Sequence, residues 1–210
     1  MFPIKSKADE LALRFGHIAT ELAEAKIHIT IYEQLESKKS EFSKEFNHSL
    51  DFWERTKTAH LLTSLIGLCR VYDNNRDPKQ RVDRDPFHLL RFVEEIGTLS
   101  GSIFSVKERK RQNCHLNFLR NNKQVLKLRK WRNGVICHRN QSLLLGGREN
   151  FLVQCNLSLE DVKNLIEKAA KIYARWAEHC KINYPIPRLN GIENQILFVL
   201  QSLKRDSIQR

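Results

Sequence analysis

Glycine and proline are scarce in this chain of 210 residues, at 8 and 5. A many-turned β sandwich needs more of both, so their scarcity points to long helices. Long apolar runs are also missing. The most apolar stretch, Leu61–Cys69, is short and carries Thr63, Ser64 and Gly67, which excludes a membrane-spanning helix there. Phe2–Ile4 is followed at once by Lys5, Lys7, Asp9 and Glu10, which is not the pattern of a secretory leader. Both features lead to the expectation of a cytoplasmic protein that stays off membranes. The cysteines, Cys69, Cys114, Cys137, Cys155 and Cys180, are odd in number and form no CxxC pair. That argues against a disulfide framework and a structural zinc site, leaving small buried hydrophobes as the reading. No phosphate-binding glycine loop, Ser-His-Asp order or pair of catalytic carboxylates is visible. Acidic residues fall well short of basic ones, 24 against 36, for a net charge of +12. Such a surface attracts phosphate backbones and speeds encounter with them.

What is present suits one helical fold. Hydrophobic residues make up 41% and charged residues 29%, enough for a packed core. Leu11, Phe15, Ile18, Leu22, Ala25, Ile29 and Tyr32 recur at three- and four-residue steps and predict a long helix over 8–36. The pattern turns polar around Ser37–Asn47, where a break or fraying is expected. A broad apolar face from Phe52 to Tyr72 predicts a central helix over 50–74. Asn74–Asp85 reads as a loop, and Asp85-Pro86 opens a third helix ending near Ile96, before Gly97. After a connector over 97–105, a helical stretch is expected over roughly 106–140, with an interruption near Asn113–His115. The Gly146-Gly147 region reads as a loop over 141–157. Ser158-Leu-Glu-Asp161 looks like a capping box launching a helix to about Ile182. Pro185 and Pro187 break the chain before a short helix over 191–202. The expected organisation is a long N-terminal helix (1–47) packing on a helical bundle (48–184), followed by a short C-terminal helix (185–210).

The most informative segment is Leu128-Arg129-Lys130-Trp131-Arg132-Asn133-Gly134-Val135-Ile136-Cys137-His138-Arg139-Asn140. Arg132 and His138 are six positions apart, about 120° around a helix, so they do not share one stripe. Val125, Leu128, Arg132 and Val135 form a 3-4-3 series, which puts Arg132 in line with apolar residues. A charge on such a stripe needs a partner or a ligand. Leu62, Ile66, Cys69 and Asp73 form a comparable 4-3-4 series, so Asp73 is a candidate partner.

Arg132-Asn133-x4-His138 resembles the Arg-(four to six residues)-His signature of the HEPN superfamily, helical domains found in many prokaryotic toxins and defence nucleases. Upstream, Phe52-Trp53, then Leu68-Cys69-Arg70-Val71-Tyr72-Asp73, then Leu89-Leu90-Arg91-Phe92 is similar to the abortive-infection AbiU branch. There an R-x-Y-D helix precedes a helix reading Leu-Arg-x-x-Arg-(Asp/Asn)-x4-His. The likeness covers roughly residues 45–180. One departure is Gly134 and Cys137-His138, where the branch often has Lys and Ala-His; Gly within a helix costs about 1 kcal/mol relative to Ala.

The resemblance implies an all-α HEPN-like bundle acting as a metal-independent endoribonuclease without a cofactor, as a toxin or phage-defence effector. Catalysis would fall to Arg132, Asn133 and His138. RNA would be held by Arg129, Lys130 and Arg139, and the site supported by Asp73 and Arg70. It further implies a homodimer, with an antitoxin or activating partner. Blander readings stand beside this one. The same helices and charge suit a non-catalytic nucleic-acid-binding or protein-interaction module, and an Arg132–Asp73 pair suits a purely structural role. Trp53 and Trp131 read as core or interface residues before base-stacking ones, His60 as structural, and Lys107–Arg111 as a solvated basic segment. Cys114-His115 lacks companion ligands at metal spacing.

Overall fold

Ala25, Ser64 and Gly67 are small or short, and they let two long helices come close. The computed structural model describes residues 7–73, 88–99, 104–133, 156–180 and 191–208, and among these it contains helices only. The elements are α1 (Lys7–Lys38), α2 (Ser43–His48), α3 (Leu50–Val71), α4 (Leu89–Leu99), α5 (Val106–Asn121), α6 (Lys123–Trp131), α7 (Leu159–His179) and α8 (Ile192–Ile208). The chain is therefore all-α, as its periodicity predicts.

The centre is the α1–α3 pair. Ser64 donates its hydroxyl to the carbonyl of Ala25 at 2.8 Å, in the buried interface. A Cβ on Gly67 would already touch Ala25. Ile18, Leu22, Ala25 and Ile29 of α1 meet Leu61, Leu65, Leu68 and Cys69 of α3 in one core that also takes in α4, α6 and α7. Each fully buried aliphatic side chain contributes about 1.5–3 kcal/mol to such a core. A smaller second core, Leu35, Phe42, Phe46, Trp53 and Leu200, joins the end of α1 to α2, α3 and α8. The Trp53 indole donates to the Glu45 carbonyl, so Trp53 packs as the sequence suggests.

Several boundaries differ from expectation. The polar stretch after α1 does break, but α2 forms immediately after it, because Phe42 and Phe46 bury into the second core. α4 runs through Gly97 to Leu99 instead of ending at Ile96. The missing side chain there leaves room for Gln112, whose amide donates to the Val93 carbonyl at 2.7 Å. The stretch expected over 106–140 breaks at Asn122, not near Asn113–His115. Asn122 takes an extended backbone and its side chain accepts from the amides of Gln124 and Val125, capping a new helix. α5 opens on a Ser105–Glu108 capping box, and α7 on the expected Ser158–Asp161 one. α8 reaches Ile208, beyond the expected end at Ser202. The expectations for Asn74–Asp85, Asp85-Pro86, 141–155 and Pro185–Pro187 lie outside the described residues. Cys69 is buried and Cys180 partly so, whereas Cys114 is exposed and is not the buried hydrophobe expected.

No described helix is long and apolar enough to cross a membrane.

Candidate functional site

The end of α3 is anchored by Tyr72. Its ring is fully buried and its hydroxyl donates to the Leu165 carbonyl on α7 at 2.7 Å. Burial pushes the phenol pKa far up, so Tyr72 stays un-ionised and keeps its donor. Asp73 follows directly. Its backbone amide still bonds back to Arg70, and its side chain is only 11% exposed.

α6 carries the facing residues. Val125, Leu128 and Trp131 bury one stripe of it, and the thiol of Cys69 donates to the Leu128 carbonyl. Two arginines one turn apart project from α6 onto the end of α3. Arg129 donates Nε to the Tyr72 carbonyl at 2.7 Å and Nη2 to the Leu119 carbonyl at 2.9 Å. Burial lowers its pKa, Asp73 opposes that, and Arg132 adds to the lowering. A guanidinium stays protonated through such shifts.

Arg132 donates Nη1 to Asp73 Oδ2 in a tight ion pair. Its Nε and Nη2 both donate to the Asn133 side-chain oxygen, at 3.1 and 2.8 Å. The Arg132 side chain is 16% exposed, so the pair is largely removed from water. Arg132 keeps helical dihedrals while the chain widens into a π-type turn at Arg132-Asn133. Such turns are frequent at functional positions because they re-aim side chains. A guanidinium has five N–H donors, and the Asp73 and Asn133 contacts leave one on Nη1 and one on Nη2. Two N–H groups on one planar cation match two non-bridging phosphate oxygens.

Arg132, Asn133 and Asp73 thus come together, and the two apolar-stripe series anticipate the Arg132–Asp73 part of it. Arg129 lies beside them, and two of its donors hold backbone carbonyls, which makes it a clamp between α3, α5 and α6. Arg70 lies apart: it is exposed and pairs with Glu21 of α1 at 3.0 Å. Lys130 is exposed on the outside of α6. His138 and Arg139 lie outside the described residues. Trp131 is 4% exposed and belongs to the core. Tyr72 and Asn122 were not among the expected site residues. Tyr72 could have been found from its position in Arg70-x-Tyr72-Asp73, beside the carboxylate.

A family model described as HEPN_AbiU2, AbiU2, matches residues 8–179, which run from α1 to the end of α7. No curated protein and no solved structure matches the chain.

Proposed function

The chain belongs to the AbiU2 family of HEPN proteins, an abortive-infection class, and on that premise we propose that it is a metal-independent endoribonuclease acting as a toxin or phage-defence effector. The observation that carries this reading is the Arg132 guanidinium, pinned by Asp73 and Asn133 with two donors to spare among the described residues.

In this reaction the 2′-oxygen of the substrate attacks the adjacent phosphorus. The new bond joins the 2′-oxygen to phosphorus, and the bond from phosphorus to the 5′-oxygen breaks. A base takes the 2′-hydroxyl proton and an acid delivers one to the departing 5′-oxygen. The products are a 2′,3′-cyclic phosphate and a 5′-hydroxyl. His138 serves as the base or the acid, since imidazole titrates near neutral pH. Arg132 binds the phosphate and stabilises charge developing on its non-bridging oxygens. Asp73 fixes the guanidinium so that it need not reorganise during reaction, and Asn133 fixes its other edge. Positions six apart differ by about 120° around a helix, and a homodimer would let the motifs of two copies meet over one phosphate. Lys130 and Arg139 supply further cationic contacts to the strand.

The test is a cleavage assay in EDTA with mixed RNA, comparing wild type with His138→Ala and typing the 3′ ends. Cyclic phosphate ends made by wild type alone are the expected result. No cleavage by either folded protein, with and without a candidate activator, would sink the enzymatic reading in favour of a binding module.

A further inference from the structure

α5 and α7 run antiparallel, and their seam is marked by contacts that step along both. Glu108 meets His179 at 3.3 Å, His115 meets Trp176, and Lys168 lies over the Phe118 ring at 5.3 Å. The Trp176 indole N–H donates to His115 Nδ1 at 3.1 Å. With Nδ1 accepting, the ring proton of a neutral imidazole resides on Nε2, so the remaining polar atom of His115 is a donor. Arg111 stands one helical turn before His115 on α5, and Lys168 lies over the Phe118 ring one turn after it; burial first, then Lys168, Arg111 and Arg175, disfavour a charged His115. Among the described residues no carboxylate forms an ion pair with Arg111 or Lys168, while Arg175 pairs with the exposed Glu178 and also favours the charged form of Glu108. Gathering like charges is unfavourable unless an anion joins them. Beside the apolar Phe118 ring the rim therefore offers the Arg111 and Lys168 cations and the His115 N–H, while Glu108, at the other end of the seam, is turned to His179.

This rim is connected to the Arg132 site. The Phe118 ring touches Tyr72 edge-on at 6.5 Å, and Tyr72 precedes Asp73. Arg129 holds the Leu119 carbonyl. From there His115 lies about 6 Å, and Arg111 about 12 Å, back along α5. Next to Phe118 a cavity of about 360 Å³ continues the seam, lined by Asn122, Gln124, Asn164, Lys168 and Lys171 among others. Its acids are already engaged, Glu167 with Lys171 and Asp161 with Ser158 and Gln124.

We propose that the α5–α7 seam is a second phosphate-binding surface, where Arg111, Lys168, Arg175 and the His115 ring hold the backbone of an RNA strand beyond the cleaved bond. The assignment rests on the ribonuclease reading for its choice of RNA, but its test does not need turnover. Anisotropy of a labelled 20-nucleotide single-stranded RNA is measured against the full chain carrying His138→Ala, across a salt series. In that background the neutral triple Arg111→Gln/Lys168→Gln/Arg175→Gln is compared with the charge-keeping triple Arg111→Lys/Lys168→Arg/Arg175→Lys. Losing three phosphate contacts lowers the salt slope by about 2. The neutral triple is expected to bind at least tenfold more weakly at low salt, and the charge-keeping triple close to its parent. Equal binding and equal slope for the neutral triple overturn the proposal, as does equal loss in both triples, or no binding by the parent. If the neutral triple keeps RNA but loses binding to polyglutamate, the surface belongs to an acidic protein and the proposal falls. Seam-dependent binding with no cleavage by wild type leaves the seam standing and removes the ribonuclease reading. Cleavage and RNA binding by wild type with an indifferent seam do the reverse.

Discussion

Replacing Asp73 by Ala removes the carboxylate from a guanidinium that has little water to turn to. Breaking a buried pair from one side costs about 3–5 kcal/mol, while exposed pairs contribute about 0–1 kcal/mol. The exposures here, 16% for Arg132 and 11% for Asp73, place the pair near the buried limit. Asn133 continues to accept from Nε and Nη2, which softens the loss, so about 3 kcal/mol is expected. With a urea slope of about 2 kcal/mol/M, the unfolding midpoint should fall by about 1.5 M. Asp73→Asn keeps an acceptor oxygen and should cost less. The double mutant with Arg132→Ala then isolates the interaction, for which a coupling of about 1–3 kcal/mol is expected. A fall of under about 0.5 kcal/mol, or strictly additive single mutants, would refute the claim that Asp73 fixes Arg132. In the same variants Arg132→Lys should lose RNA cleavage with a smaller stability loss, because an ammonium cannot reproduce the planar fork.

Asn122→Ala should destabilise the protein by about 1 kcal/mol in thermal or urea unfolding, through loss of the α6 cap, and Asn122→Asp should restore most of it. Tyr72→Phe leaves its helix packing intact but removes the donor to Leu165, a loss of about 1 kcal/mol in the same measurement. Loss of stability above pH ~10 should also be shallower in Tyr72→Phe, because the raised folded pKa makes ionisation of the buried phenol costly there. His28 and His60 face each other through Nδ1 atoms 2.7 Å apart, which requires one ring to donate and the other to accept. Burial first, then His28, lowers the His60 pKa, so its contribution is present above pH ~6.5 and is lost as pH falls through the lower folded value. His60→Gln should flatten the loss of stability as pH falls below ~6.5; an unchanged slope would show that His60 is not what titrates.

The sequence was most legible where burial sets the period. Ile18, Leu22, Ala25 and Ile29 announce α1, and all lie in the core. The apolar-stripe reasoning also finds Arg132 and Asp73, since a charge in line with buried residues must meet a counter-charge. It was least legible where one polar side chain outweighs periodicity. Asn122 sits inside a charged stretch with no apolar change of phase, and only its hydrogen bonds to Gln124 and Val125 distinguish a cap from a mid-helix asparagine. Gly97 misled in the opposite direction, because its role is to admit the Gln112 side chain, a tertiary event without a local signal. Arg129 shows a third limit. A basic residue beside Arg132 reads as a ligand contact, and no local pattern signals that two of its donors hold backbone carbonyls at the ends of two other helices.

That clamp makes the motif spacing a matter of mechanical register. Arg129 grips the backbone of Tyr72 and Arg132 grips the side chain of its neighbour Asp73, so two adjacent positions just past α3 are matched to two positions one turn apart at the end of α6. The fit works like two pins in two holes. Inserting or deleting a single residue between the arginines would swing one pin by about 100°, and side-chain flexibility could not recover both contacts. The two residues between them therefore act as a ruler of fixed length: Lys130 and Trp131 can change in chemistry more readily than they can change in number.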